Sequence, residues 1–182
     1  MQPVKTSKAV AGWLRLLPLV FAIWAIGPAQ AQDIPEPVGS VTGPARVLDA
    51  DILMVGQNRV ILWGVDAPER PQRCLLNGRD WGCWEAAKRA LQSLAERGDI
   101  TCTLLGEPDP FNRYYAICLA GDDDIGEELV AAGLAMAYSE QTPLYEAAQL
   151  DAITRGVGLW QEGAEFTEPW EYRRTNTPGG YR

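Results

Sequence analysis

The chain of 182 residues contains no histidine. Histidine is the commonest metal ligand and the side chain best suited to proton transfer near neutral pH. Its absence disfavours zinc sites with imidazole ligands, haem ligation by histidine and histidine-based acid–base catalysis.

Basic residues are scarce relative to acids. The chain has 16 Lys and Arg against 24 Asp and Glu, which gives a formal net charge of −8. Proteins that bind nucleic acid usually carry a basic face, so this balance argues against tight, nonspecific DNA binding. A local positive cleft is still compatible with it, because net charge does not report how charge is distributed.

Cysteines are few, and none forms a Cys-x-x-Cys pair. The four are Cys74, Cys83, Cys102 and Cys118. An even number in an exported chain predicts disulfide bonds, for which three pairings are possible. We favour Cys74–Cys83, which closes a loop before a helix, and Cys102–Cys118, which joins two strands. Metal binding by the four thiols is the alternative.

The first 31 residues have the pattern of a secretory signal peptide. Basic residues precede a short apolar run over 16–26, and Ala-Gln-Ala at 29–31 supplies a small-x-small cleavage site. The run is shorter than the roughly 20 residues of a membrane helix. We therefore predict a periplasmic or secreted protein without a stable membrane span after cleavage. An uncleaved N-terminal anchor is the alternative.

The remainder divides into three predicted parts. Residues 32–42 contain two prolines and are predicted to be a linker. Residues 43–163 are predicted to form one domain. Residues 164–182 are predicted to be a C-terminal tail that folds over this domain.

Apolar patterning within the domain predicts strands first and helices later. The predicted strands are 45–48, 52–55, 60–63, 100–105 and 114–119. The predicted helices are 84–97, 127–132 and 142–155, the last opening with a Thr-Pro cap. This order suits an α+β domain built on a closed five-stranded barrel.

Carboxylates follow two of these strands. Asp49-Ala50-Asp51 and Asp66-Ala67-Pro68-Glu69 place acids where a hard cation could be held by oxygen ligands. Arg113, in a third loop, could direct a guanidinium toward the same position. Carboxylates, a cation and a guanidinium are the groups needed to cleave a phosphodiester.

Together these motifs resemble those of the staphylococcal nuclease-like (thermonuclease) family. The resemblance runs from about residue 43 to 160 and includes Asp66-Ala67-Pro68-Glu69, Asp109-Pro110-Phe111-Asn112-Arg113 and Gly158-Leu159-Trp160. It implies an OB-fold: a five-stranded β-barrel with three flanking helices.

The resemblance also implies roles for individual residues. Asp51, Asp66 and the backbone carbonyl of Ala67 would bind a calcium ion. Glu69 would orient or deprotonate the attacking water. Arg113 would stabilise charge on the phosphorus-centred transition state.

One catalytic arginine of the family is missing, because its position is occupied by Ile61. Losing one preorganised donor typically lowers a rate by about 10²–10³, and an arginine on a transferring phosphoryl group is worth roughly 10³–10⁵. Arg59 would project from the same strand face, with its Cα about 6.6 Å away. We hypothesise that Arg59 partly replaces the missing guanidinium; a solvated strand end is the alternative.

Two function classes follow. The first is a secreted, calcium-dependent nuclease of reduced activity that hydrolyses DNA or RNA, with Phe111 and Tyr138 as candidate base-stacking residues. The second is a catalytically inactive module of the same fold that binds a protein partner or an anionic ligand. For Phe111 and Tyr138, packing within the protein is equally compatible with the sequence.

Overall fold

The computed structural model describes residues 34–176, which belong to one compact unit. The predicted signal peptide lies outside this range, as does the end of the predicted tail. Among the described residues, no helix has both the length and the apolar character needed to span a bilayer.

The domain is of the α+β class. In the described range its strands are β1 (Pro37–Gly43), β2 (Ala45–Val47), β3 (Ile52–Val55), β4 (Asn58–Leu62), β5 (Val65–Asp66), β6 (Cys74–Leu76), β7 (Arg79–Trp81), β8 (Ile100–Leu105), β9 (Arg113–Ala120), β10 (Asp123–Asp124), β11 (Met136–Ala137) and β12 (Ala164–Glu165). Its helices are α1 (Cys83–Ala95), α2 (Ile125–Ala131), α3 (Glu146–Arg155) and α4 (Pro169–Asn176), with a 3₁₀ turn at Gly158–Trp160.

The main sheet has the order β1-β8-β9-β4-β3-β2, and β10 extends it beside β9. Every pair is antiparallel except β4 and β9, which run parallel. The sheet curls strongly, because the turn between β3 and β4 comes close to β1, which lies at the far edge of the sheet. A Cβ atom added to Gly56 in that turn would be only 3.7 Å from the Val41 side chain of β1. Strands from distant positions in the sheet order therefore approach each other.

The principal core lies inside this curl. Val60 and Leu62 of β4 pack there against Leu91 and Leu94 of α1, whose apolar residues recur at helical spacing. Ile61 is fully buried but lies outside this core cluster. Because successive strand residues point to opposite faces, Ile61 projects away from the principal core.

Two small sheets complete the fold and position the carboxylates. In one, β5 pairs with β11 and places Asp66 opposite Met136. In the other, β6 pairs with β7 and β12. Neither small sheet was predicted, because strands of two or three residues give too little alternation to recognise.

Both favoured disulfide bonds are present. Cys74 bonds Cys83, which joins β6 to the start of α1. Cys102 bonds Cys118, and these residues face each other in the β8–β9 register. No free cysteine remains in the described part of the chain.

Three predicted boundaries are corrected by the structure. The predicted linker over 32–42 contains most of β1, because Pro37–Gly43 pairs with β8. The predicted helix over 142–155 begins only at Glu146. Thr142 is instead buried where a side chain on Gly64 would collide with it. The predicted tail contains a fourth helix, α4, where the sequence indicated three.

Candidate active site

Asp66 is the most deeply buried acid of the site. It ends β5 and has no exposed surface. Its Oδ1 accepts a hydrogen bond from Nη1 of Arg173 at 2.8 Å, and its Oδ2 accepts one from Nη2 at 2.7 Å. Both carboxylate oxygens are therefore engaged by one guanidinium in the bidentate geometry typical of arginine.

Glu69 reaches the same guanidinium from the turn that follows β5. Its Oε1 accepts from Nη1 of Arg173 at 2.7 Å. Gln72 holds this turn, since its Oε1 accepts from the Glu69 backbone N–H at 3.1 Å and its own N–H donates to the Glu69 carbonyl at 2.9 Å. The Nε2 of Gln72 also donates to the carbonyl of Thr167 at 2.5 Å, which ties the turn to the segment before α4.

Asp51 lies beside these acids, in the loop before β3. Its carbonyl accepts from the N–H of Leu62 at 3.0 Å, which fixes the loop against the end of β4. Burial raises the pKa of the Glu69 carboxyl; Arg173 offsets part of this effect, and the negative charges of Asp51 and Asp66 add to it. A raised pKa makes Glu69 a stronger base than an ordinary surface glutamate.

Asp49, in the same loop as Asp51, has a structural role. Its Oδ1 accepts from the backbone N–H of Ala50 at 2.8 Å and from Nε1 of Trp84 at 2.5 Å. It thereby fastens the loop to α1. The two acids of the Asp49-Ala50-Asp51 motif are thus used differently.

The predicted cation ligands are close together, but they do not form a ready-made metal site. In residues 34–176 no group of three or more acidic or cysteine side chains is arranged to hold an ion. Ala67 follows Asp66 directly and is buried, and its role as a carbonyl ligand stays a prediction. A positive group does occupy that corner, namely the guanidinium of Arg173.

The donor chemistry fits calcium. Two carboxylates, a backbone carbonyl and water are the oxygen ligands that this cation accepts. Asp66 and Glu69 already converge on one cationic group, the guanidinium of Arg173. Calcium would compete with Arg173 for Asp66, because the guanidinium donates to both oxygens of that carboxylate.

Arg113 lies at the start of β9 and is held by its own loop. Its Nε and Nη2 donate to Oδ2 of Asp109 at 2.7 and 2.6 Å, and its guanidinium lies 5.2 Å from the ring centre of Phe111. The pKa of Asp109 is lowered. Burial by itself would raise it, but the hydrogen bonds from Arg113 and from two backbone N–H groups outweigh burial.

Arg59 and Arg113 are neighbours, in register on the parallel strands β4 and β9. Arg59 is exposed, whereas Ile61 is fully buried beside Tyr115 of β9. The acids lie at the other end of β4, about three residues or roughly 10 Å from Arg59 along the strand. The role of Arg59 as a replacement for the missing arginine stays a prediction.

The two candidate base-stacking residues differ in their surroundings. Phe111 is 62% exposed. Tyr138 stacks on Trp170 of α4, with ring centres 5.6 Å apart and planes 28° apart, and its hydroxyl donates to Glu140 at 3.2 Å. One face of the Tyr138 ring is therefore already covered by an aromatic side chain.

Sequence reasoning did not place Arg173 in the site. It lies more than a hundred residues after Asp66 and Glu69. The available signal was weak: Pro169 predicts a helix start, and Trp170 and Arg173 have the i, i+3 spacing of one helix face. Charged residues near a chain end are usually solvated, so these features alone would not place Arg173 among buried acids.

The fold and the site together define a class of protein. A curled sheet with flanking helices carries, near the ends of β4 and β5, a group of acids gathered around one guanidinium. The family described as "Staphylococcal nuclease homologue" matches residues 59–162. The chain belongs to this family, and its fold is accordingly an OB-fold.

Two curated proteins are similar to this chain. The "Succinoglycan biosynthesis protein ExoI" of Rhizobium meliloti (strain 1021) is 32% identical over 129 residues, which cover 69% of this chain and 67% of that protein. An "Uncharacterized endonuclease" of Haemophilus influenzae (strain Rd) is 29% identical over 118 residues, covering 64% of this chain and 60% of that protein. The aligned segment thus spans less than two thirds of the second relative.

Proposed function

We propose that the chain is a calcium-dependent nuclease that hydrolyses phosphodiester bonds of DNA or RNA, with a rate lowered by Ile61. The observation that carries the proposal is the convergence of Asp66 and Glu69 on Nη1 of Arg173. This convergence supports the proposal, because two acids of the family signature meet at one positively charged group. The family and the endonuclease relative support the same reading.

Asp51, Asp66 and the carbonyl of Ala67 would hold the calcium ion, which when bound neutralises phosphate charge and lowers the pKa of a coordinated water. Glu69 accepts a proton from the attacking water, and its raised pKa suits this role. The water oxygen then bonds to phosphorus while the bond to the leaving oxygen breaks, and the leaving oxygen takes up a proton from solvent water. Arg113 offsets charge on the phosphoryl oxygens.

The reduced rate follows from the strand position at Ile61. Its side chain is apolar and fully buried, so it donates nothing to a phosphate. Arg59 would need to extend along β4 toward the acids to compensate. We expect a rate below that of a site with two arginines.

Export to the periplasm or the medium is also part of the proposal. Two disulfide bonds are present, and such bonds persist chiefly in oxidising compartments. The predicted signal peptide agrees with this.

A catalytically inactive binding module is the second candidate. The observation that favours it is the engagement of Asp66 and Glu69 by Arg173, whose one positive charge offsets part of their negative charge without a metal. The name of the Rhizobium relative refers to succinoglycan biosynthesis, which suits a role apart from nucleic-acid cleavage. The partner would then be a protein or an anionic ligand.

The deciding experiment is degradation of single-stranded DNA by the purified chain with calcium, with a chelator, and with the Glu69→Gln substitution. We expect loss of activity with the chelator and a fall of about 10²–10⁴ with Glu69→Gln, because the proton acceptor is removed. Glu96→Gln, at an exposed position where α1 ends, is the matched control and should keep the parent rate. Equal rates for the parent and Glu69→Gln would rule out the proposed mechanism.

A further inference from the structure

Helix α4 is fastened over the site at several points. Trp170 packs against a small cluster that contains Met136, Leu159 and the Cys74–Cys83 disulfide. It also stacks on Tyr138. Just before the helix, the carbonyl of Thr167 accepts the hydrogen bond from Gln72. The helix is thus attached to the turn that carries Glu69.

Arg173 is buried together with the acids that it contacts. Its side chain is 9% exposed, against 0% for Asp66 and 30% for Glu69. Buried carboxylates are costly unless they are paired. In the absence of a metal ion, Arg173 supplies the positive charge that makes this cluster of acids tolerable.

The guanidinium and a calcium ion compete at Asp66. Arg173 donates to both oxygens of Asp66 and to one of Glu69, and these are the oxygens that a cation would use. The two positive charges would also repel each other at such short range. Binding of one therefore weakens binding of the other.

The same helix covers the candidate base-stacking ring. Trp170 and Arg173 lie on one face of α4 because residues three positions apart are neighbours on a helix. Trp170 occupies a face of Tyr138, while Arg173 occupies the acids. A single element thus covers both of the positions that the proposed nuclease reaction needs.

The geometry points to α4 as an internal cover, in which Arg173 competes with calcium for Asp66 and Glu69 and Trp170 competes with a nucleobase for Tyr138. This inference rests on the proposed function. Calcium binding and release of α4 are then coupled, and the coupling is reciprocal. Calcium binds tightly only to the molecules in which α4 is released. The apparent calcium affinity of the parent is therefore the intrinsic affinity multiplied by the fraction of molecules in that state.

Calorimetric titration with calcium of the full chain and its Arg173→Gln variant tests this coupling. We expect Arg173→Gln to bind calcium about 5–150-fold more tightly, the usual range of coupling between two sites. Arg174→Gln is the matched control, because the neighbouring Arg174 is 76% exposed and pairs only locally with Glu171 among the described contacts. It should bind calcium as the parent does.

Hydrogen exchange of the unmodified chain provides a second readout that does not depend on any substitution. We expect the backbone amides of α4 to exchange faster at saturating calcium than in chelator. Unchanged exchange at saturating calcium would overturn the inference, even if Arg173→Gln failed to fold.

The remaining outcomes separate this inference from the proposed function. Equal calcium affinity of parent and Arg173→Gln, with lower turnover in the variant, would overturn the inference alone and would make Arg173 a catalytic arginine. Absence of calcium binding to both would overturn the calcium-dependent function and, with it, the competition.

Discussion

The acids of this chain differ in the kind of donor that they accept from. Asp49, Asp109 and Asp124 each accept at least one backbone N–H from the loop or turn in which they lie. Asp66 and Glu69 accept from the guanidinium of Arg173, more than a hundred residues away. The acids bonded to nearby backbone groups fix turns, whereas the two that accept from Arg173 mark the candidate site.

Asp109 offers a test at this scale. Asp109→Asn removes the charge that Arg113 contacts, and we expect a loss of about 1–2 kcal/mol in the free energy of unfolding, measured by urea denaturation. Asp80→Asn is the matched control, because its pair with Arg73 is largely exposed. Such exposed pairs contribute about 0–1 kcal/mol. Equal losses would mean that the Asp109–Arg113 pair is no stronger than a surface pair.

The same substitution has a predictable pH dependence. The pKa of Asp109 is lower in the folded chain than its ordinary value, so its contribution to stability is present above about pH 4 and disappears as the pH falls through the folded-state pKa. The difference in stability between the parent and Asp109→Asn should therefore shrink in acid. A difference that stayed constant down to pH 2 would contradict this assignment.

At the scale of elements, close backbone contacts decide how helices meet the sheet. The N–H of Leu159 donates to the carbonyl of Gly133 at 2.7 Å, which joins the 3₁₀ turn to the end of α2. Gly158 has φ +58°, and a Cβ there would collide with the Gly133 carbonyl. The glycine of the Gly-Leu-Trp motif is thus required for packing as well as for conformation.

Two glycine substitutions separate these requirements. Gly156→Ala and Gly158→Ala both place alanine in the left-handed region, which costs about 1–2 kcal/mol each. A Cβ at Gly156 would have only an ordinary contact with the Trp160 carbonyl, at 3.8 Å. We expect Gly158→Ala to lose a further 1–3 kcal/mol, roughly the cost of overpacking, in thermal or urea unfolding. Equal losses of stability in the two variants would show that the Gly133 carbonyl moves away from a Cβ at position 158 at little energetic cost.

At the scale of the whole molecule, net charge opposes the proposed substrate. A formal charge of −8 repels a polyanion, and this repulsion extends over about one Debye length, roughly 10 Å at 0.1 M salt. A basic nucleic-acid binder loses affinity as salt rises, with a slope of about −0.9 per neutralised phosphate. This chain should behave differently, because added salt screens repulsion.

We therefore expect kcat/KM on long single-stranded DNA to stay flat or to rise as monovalent salt increases from about 20 to about 150 mM. A short dinucleotide ester is the matched control; its few charges should give little salt dependence. A steep fall for the long substrate would show that a local basic surface, with Arg59 and Arg113 as its first candidates, outweighs the net charge.

Much of the fold was predictable because its signals are local. The β8–β9 hairpin predicted the Cys102–Cys118 bond, since a hairpin brings residues near in sequence into register. Helix α1 was predicted from apolar residues that recur at helical spacing. The start of α3 was predicted wrongly because its Thr-Pro cap pattern competes with packing of Thr142 against the Gly64 turn. Strand β1 was missed because six of its seven residues are exposed or small and show no clear alternation.

The sequence by itself determined the family and predicted its signature acids and an isoleucine at position 61 in place of an arginine, because each is a residue type at a fixed spacing. Only the tertiary structure decided what neutralises those acids. Arg173 meets Asp66 because Trp170 anchors α4 on a surface assembled from β6, α1 and β11. Burial then makes the pairing strong, and neither the surface nor the burial exists until distant segments have packed together.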